Sequence, residues 1–262
     1  MTEPSDTILL RYDEGGIARL TLNRPDAFNS LSLGLLARLQ SELDRIADDR
    51  AVRVVVIAGA GKAFCAGHDL KEMGGDLRDA PVRRLFERCS HMMLTLARLP
   101  QPVIARVHGI ATAAGCQLVA ACDLAVAAAD SRFATSGVKY GLFCSTPMVA
   151  LSRNVPRKAA LEMLLTGDFI PAGEALRLGL VNRVVPPELL DAEVATLAAS
   201  LVDKPREVLA LGKRAFYRQL ELGMSDAYAF TTDVIVDNAL GRDFAHGLDA
   251  FIHKRKPEWP EE

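Results

Sequence analysis

The chain has 262 residues, of which 50% are hydrophobic and 24% charged, with 31 Lys and Arg against 33 Asp and Glu for a net charge of −2. That length suits one large domain or a domain with an appendage. The near-neutral balance gives no reason to expect nucleic acid or an anionic membrane as partner. The N-terminal run MTEPSDT lacks an apolar centre, so no signal peptide is expected, and no apolar stretch is long enough to cross a bilayer. Five scattered cysteines (Cys65, Cys89, Cys116, Cys122, Cys144) form no CxxC pair, and the histidines show no HxxxH or HExxH spacing. Reduced thiols, a cytoplasmic location and no metal site are expected.

In chain order, Ile8 to Tyr12 and Ile17 to Leu22 alternate around Glu14-Gly15-Gly16 and read as a hairpin. Ser32 is placed to cap a helix running to about Ala47, with Leu35, Leu36, Leu39, Leu43 and Ile46 on one face. Val52 to Ala58 is a continuous apolar run, as expected of a strand covered on both faces. The loop GAGKAFCAGHDL follows, and a short helix begins at Leu70 to Met73. Residues 81 to 98 are helical by period, with Leu85, Cys89, Met92, Met93 and Leu96 inward.

Residues 103 to 123, VIARVHGIATAAGCQLVAACD, organise the chain. A strand from Val103 to Val107 leads into a small-residue loop, Ala111 to Gly115, and then a short apolar helix from Cys116 to Ala121. Ala, Gly and Thr leave the backbone N–H groups open to close approach, and at a helix start those groups carry the positive end of the dipole. That suits a developing oxyanion; equally, small residues let a buried helix pack tightly. Another strand spans Leu124 to Ala128. After Pro156 helices are expected at 157 to 165, 172 to 178, 187 to 203, 205 to 221, 225 to 239 and 242 to 253. The layout is α/β followed by an all-α tail.

GAGK at Gly59 to Lys62 invites a nucleotide reading but fails it. A P-loop needs glycine where Val56 stands and Ser or Thr where Ala63 stands, and a dinucleotide fingerprint needs glycine at Phe64. No GxSxG elbow is present. Cys116 has the apolar surroundings of a core thiol, and Ser145-Thr146 before Pro147 reads as a helix N-cap.

The segments NRPDAFNSL, VRVVVIAGAGKAFCAGHDLKEM, QPVIARVHGIATAAGCQLVAACDLAVAA and ALEMLLTGDFIPAGEALRLGLVNRVV together resemble the crotonase (enoyl-CoA hydratase/isomerase) superfamily. The match covers about residues 8 to 186 in order, and the ending FIHKRKPEW is also similar. IATAAGCQLVAACD with GLFCSTP and VPRKAALEM most resembles the subgroup called enoyl-CoA hydratase domain-containing protein 3. The resemblance implies a crotonase-like spiral of ββα units over residues 1–200. A C-terminal all-helical trimerisation region would follow over 201–262, giving a homotrimer or a dimer of trimers. The implied ligand is an acyl-CoA thioester, with no covalently bound cofactor. The backbone N–H groups of His68 and Ala114 would form the oxyanion hole. CoA would lie along Asp26, Ala27, Phe28, Ala66, Asp69 and Leu70, and Lys254 or Lys256 of a neighbouring chain would meet its phosphates.

The departures from that family concern proton transfer. Its two glutamates, one activating water and one handling the α-proton, fall at Gln117 and Gly137 here. An amide has no useful pKa and glycine has no side chain. A positioned acid or base contributes roughly 10²–10⁴-fold. The usual PGAGG segment is altered to CSTPMVA, so the family's acyl-pocket shape is not carried over to this chain. His68 replaces a small residue beside the hole; its imidazole is expected to titrate near neutrality and to reach the thioester or α-carbon, or else to pack locally. Asp69 is expected to fix its loop or face the nucleotide, Lys139 to face solvent, and Asp123 to be structural. The readings that follow are an acyl-CoA-binding, hydratase/isomerase-like protein that hydrates poorly, a non-catalytic acyl-CoA binding module, or a different thioester-enolate reaction through His68.

Overall fold

The computed structural model describes residues 7–259, so all of MTEPSDT except Thr7 lies outside the described residues. The hairpin pairs β1 (Leu9–Glu14) antiparallel with β2 (Ile17–Leu22), and Gly15 and Gly16 take φ of 56° and 78° in its two-residue turn, the left-handed values such turns require. Helix α1 (Leu33–Asp48) starts where the Ser32 side chain accepts a 3.1 Å hydrogen bond from the Leu35 N–H, and it buries the expected face. Strand β3 (Val54–Gly59) is buried at every position. Next come α2 (Leu70–Gly74) and α3 (Asp79–Arg98), the latter burying Leu85, Cys89, Met92, Met93 and Leu96. Then follow β4 (Val103–Val107), β5 (Ile110–Thr112), α4 (Ala114–Ala121), β6 (Leu124–Ala128), β7 (Arg132–Ala134), α5 (Pro147–Asn154), α6 (Arg157–Thr166), β8 (Ile170–Pro171), α7 (Ala172–Arg177) and β9 (Arg183–Val185). Four helices finish the chain: α8 (Leu190–Val202), α9 (Arg206–Gln219), α10 (Met224–Ala239) and α11 (Arg242–Ile252).

The strands form a six-stranded sheet in the order β1-β2-β3-β4-β6-β9, parallel beyond the first hairpin, and a three-stranded sheet β5-β7-β8. Parallel bridges Leu31–His68 and Cys65–Ala111 extend the second layer. Each turn of the chain thus adds a strand to the first sheet, a few residues to the second layer, and a helix outside. The main sheet is covered on both faces: Val55 and Ile57 face the core under α1 and α3, while Val54 and Val56 face Leu190, Val194 and Leu197 of α8. That two-sided cover explains an apolar run without alternation.

Two expectations are corrected. Helices do not alone fill the chain after Pro156: β8 joins β7, and β9 joins β6 at the edge of the main sheet. Strands of two or three residues are too short to show a period. The small-residue loop is shorter than expected, because β5 takes residues 110–112 and α4 begins at Ala114, two residues before Cys116. Among the described residues no helix is long and apolar enough to cross a membrane, and no group of three or more His, Cys, Asp and Glu side chains is placed to hold a metal.

Helix α9 is tied to the spiral by a buried charge. Lys213 Nζ lies 2.6 Å from Asp123 Oδ2 and donates to the carbonyls of Leu96 and Gln101 at 2.8 and 2.9 Å. Asp123 also accepts from the Val103 N–H (2.7 Å) and the Tyr217 hydroxyl (2.9 Å), so its role is structural, joining β4, β6 and α9. Burial pulls the Lys213 pKa down from its ordinary value even with Asp123 opposing, so an uncompensated Lys213 charge is costly. Asp123→Asn is expected to lose about 3–5 kcal/mol in denaturant unfolding, and the double variant Asp123→Asn/Lys213→Met to recover much of it.

Candidate functional site

The site is built from two loops held in contact by backbone geometry. Leu31 donates to the Gly67 carbonyl at 2.7 Å and accepts from the Asp69 N–H at 3.2 Å. In a parallel bridge of that pattern the intervening residue, His68, turns its own N–H away from Leu31. On the second loop, Ala113 N–H donates to the Ala134 carbonyl at 3.0 Å, and Ala114 is the first residue of α4, where helix amides have no partner within the helix. Among the described residues, neither the His68 nor the Ala114 N–H donates in the bonds that fix these loops.

Close approach fixes the two loops against each other. A Cβ on Gly67, which has φ of 92°, would fall 2.9 Å from the Ala113 Cβ and 3.2 Å from the Ala114 nitrogen; one on Gly115 would fall 2.1 Å from the Cys65 carbonyl oxygen. Ala113 itself has φ 51° and ψ −119°, a conformation costing an L-residue on the order of 1–3 kcal/mol and concentrated at functional sites. The Cβ at Ala114 meets no such penalty, because that residue is helical. Cys116 is buried, and burial, then the neighbouring Cys144, pushes its thiol up to about 12; it is a core thiol.

Asp69 fixes the first loop. It caps α2 by accepting from the N–H groups of Lys71 and Glu72 at 3.1 and 3.2 Å, and its other oxygen takes Arg24 at 2.8 Å. Burial works to raise its pKa, but Arg24 and the two amides together hold it below the usual range. Arg24 also donates to the Ser30 carbonyl at 2.6 Å, and the wholly buried Asn29 donates to the carbonyls of Ala60 and Ala63, both at 2.8 Å. Asp26 and Ala27 lie in the short 3-10 turn Pro25–Ala27; Phe28, half exposed, follows with φ 49°, and its carbonyl accepts from Ala66 at 3.0 Å. These residues with Ala66, Asp69 and exposed Leu70 therefore form one neighbourhood. Lys254 and Lys256 are not part of it within one chain. Lys256 pairs with Asp203 at 2.9 Å, beside Val202, whose side chain packs near Gly16 at the start of β2. Residues 26–28 follow the other end of that strand.

The side chains expected to carry chemistry are placed as follows. Gln117 is 4% exposed, and its Oε1 has no hydrogen-bond partner. Gly137 is enclosed: a Cβ there would sit 2.3 Å from the Leu142 carbonyl oxygen and 2.9 Å from Cys144 Sγ, and Leu142 N–H donates to the Gly137 carbonyl at 3.0 Å. The place a second glutamate would need is filled by the 141–144 loop. His68 packs edge-on against Phe86 of α3, ring centroids 4.9 Å apart, and its Nε2 is buried without a partner. Burial pulls its pKa down from 6.5 to about 4, so the imidazole is neutral at pH 7; the expectation of titration near neutrality is corrected by that burial. Lys139 faces solvent in a 2.6 Å pair with Asp168. Helix α5 begins at Pro147 as expected, but neither Ser145 nor Thr146 caps it, and the Thr146 hydroxyl is buried and unpaired. Sequence reasoning missed Arg24, Asn29 and Phe86, which position the first loop and the imidazole. The NRPDAFN run carries the first two, and nothing local marks Phe86.

A family model for enoyl-CoA hydratase/isomerase matches residues 13–262. Enoyl-CoA hydratase domain-containing protein 3, mitochondrial, of Xenopus laevis is 49% identical over 246 residues, covering 94% of this chain and 84% of its own. Among solved structures, an enoyl-CoA hydratase of Mycobacterium smegmatis is 56% identical with a TM-score of 0.94, covering 96% of this chain and 98% of its own. Human enoyl coenzyme A hydratase domain-containing protein 3 is 46% identical with a TM-score of 0.91, covering 96% and 100%. The expected cytoplasmic location is overturned, since the vertebrate relatives at 44–49% identity are named mitochondrial. Scattered, buried cysteines do not by themselves separate one compartment from another.

Two predictions follow from this geometry. Gly137→Glu is expected to lose about 1–3 kcal/mol or more through overpacking, while the near-isosteric Gln117→Glu folds; thermal melting compares them. Between pH 6.5 and about 4, an unfolded His68 binds a proton that the folded site refuses, so this residue's share of stability is complete above pH 6.5 and lost as pH falls towards 4. Unfolding of His68→Leu across that range is expected to show a shallower pH slope than the parent.

Proposed function

The chain belongs to the enoyl-CoA hydratase/isomerase family, and from that premise we propose that it binds an acyl-CoA and polarises the thioester carbonyl through the His68 and Ala114 amides, without turning over as a hydratase. The observation that carries this is the pairing of two undonated loop amides with an amide and a filled glycine at the two glutamate positions. Main-chain donors are indifferent to side-chain identity, and one oxyanion donor is worth about 10²–10³-fold. Polarisation without a proton carrier leaves the water-addition step uncatalysed by roughly 10²–10⁴-fold for each missing group.

The CoA moiety is assigned to the neighbourhood of Asp26, Ala27, Phe28, Ala66, Asp69 and Leu70, where half-exposed Phe28 offers a stacking face. Lys254 or Lys256 would come from a neighbouring subunit, in keeping with their position beyond the start of β2. A homotrimer or dimer of trimers through residues 201–262 is supported by the exposed Met224, Tyr228 and Ile235 of α10, Leu240 just beyond it, and Phe251 and Ile252 of α11, apolar side chains of the kind that a subunit interface covers. Catalysis by the His68 side chain is disfavoured, since burial makes its imidazole too weak a base to take an α-proton readily.

Calorimetric titration with crotonyl-CoA, beside a hydration assay on the same preparation, tests the reading. Saturable binding with turnover far below the 1–10³ per second of ordinary enzymes is expected. Turnover within that range contradicts the catalytic deficit, and no binding contradicts the assignment of the site.

A further inference from the structure

On the face of the main sheet turned away from the spiral core, Ile17, Val54, Val56 and Ile104 pack under α8. Two or four positions further along β2, β3 and β4 the same face carries Arg19, Thr21, Ala58 and Arg106. Thr21, Ala58 and Arg106 stand in one row across the three parallel strands. Helix α8 reaches this row only with its first residues, Leu190 and Asp191, so the carboxyl ends of the strands are left open, where α/β sheets commonly hold ligands. The result is a crevice of about 590 Å³ that also takes in Gly61, Lys62, His108 and Asp130, a size that suits a small molecule.

Its charges do not cancel. Arg106, its side chain only 17% exposed, forks onto Asp191 with two bonds of 2.8 Å, and Arg19 reaches the same carboxylate at 3.1 Å. Arg106 above all, joined by Arg19, holds the Asp191 carboxyl down at about 2 although burial opposes them. Lys62 has no hydrogen bond or ion pair among the described residues. Three permanent cations against Asp130 and Asp191 leave one positive charge in excess. The GAGK turn adds backbone donors. Gly61 has φ of 74°, and among the described residues the amides of Gly61, Lys62 and Ala63 donate to nothing. Successive free amides at such a turn form a concavity that favours anions.

The turn is held in place from β4. A guanidinium only donates, so His108 Nδ1 accepts from Arg106 at 3.2 Å and the Nε2–H donates to the Gly61 carbonyl at 2.9 Å. Gly109 packs so closely beside it that a Cβ there would fall 2.2 Å from the Lys62 carbonyl oxygen. The proposed CoA neighbourhood lies across the turn, where Gly61 meets Pro25. We propose that this crevice is a second binding site, separate from the thioester site, for a phosphate group, either the free ion or a small phosphomonoester. Arg19, Lys62 and Arg106 are its cations. A tetrahedral oxyanion offers enough acceptor oxygens for two guanidiniums, an ammonium and the turn amides together, which a planar carboxylate with two oxygens does not.

Calorimetric titration of the full-length protein with inorganic phosphate and with glycerol 3-phosphate, alone and with saturating crotonyl-CoA, tests it. One saturable site is expected, weakened at least about 10-fold in Lys62→Ala and in Arg106→Met, in line with losing a hydrogen bond to a charged group. Lys62 is exposed and unpartnered, so Lys62→Ala decides the matter if Arg106→Met fails to fold. The tighter of the two ligands tells the free ion from the ester. No saturation up to about 10 mM, or binding in Lys62→Ala equal to the parent's, overturns the proposal. Displacement by crotonyl-CoA overturns it too, because the ion would then occupy the CoA neighbourhood.

Discussion

The site depends on one backbone arrangement: the parallel bridge by which Leu31 grips the Gly67 carbonyl and the Asp69 N–H, leaving the His68 amide turned outward. Everything nearby serves to hold that strand of the second layer against the start of α4. Gly67 has no Cβ where Ala113 needs room, and Gly115 has none where it meets the Cys65 carbonyl. Arg24 and Asp69 lock the loop from the solvent side, and buried Asn29 ties it to the end of β3. The strain at Ala113 is tolerable because packing on both sides fixes that turn. On the proposed reading, a rigid spiral presents backbone donors to a ligand, which requires no particular side chains at the donor positions.

On the proposed reading, the side chains around those amides depart from the family's proton-transfer chemistry. Gln117 has the size of a glutamate but an amide in place of the ionisable carboxyl. At Gly137 the change goes further, because the Leu142 carbonyl and Cys144 thiol fill the space a carboxylate would need. A side chain at 137 is therefore opposed by the path of the chain through Leu142 and Cys144. Burial keeps the His68 imidazole neutral as well.

Much of the fold was legible in the sequence because its periods are long and clean. The face of α1 from Leu35 to Ile46 and the inward stripe of α3 from Leu85 to Leu96 are buried as their spacing requires, and β3 reads as apolar throughout because α8 covers its second face. Strands β7, β8 and β9 were not legible, having two or three residues each. The positions of Gln117 and Gly137 came from resemblance to a family, while the reason Gly137 admits no side chain needed the coordinates. The contact of His68 with Phe86, and that of Tyr217 with Asp123 across 94 residues, leave no local trace. The pKa of His68 was misread for the same reason: a residue in a polar-looking loop, AGHDL, carries no sign of the helix packed over it.

The central claim is that two main-chain amides polarise a thioester carbonyl. Isotope-edited infrared difference spectroscopy of butyryl-CoA labelled with carbon-13 at the thioester carbonyl reads that polarisation directly. The account predicts that the carbonyl band moves to lower frequency on binding, in the parent and in His68→Leu alike, since a backbone N–H survives the side-chain change. A bound ester whose carbonyl band stays at its position in free solution would contradict it.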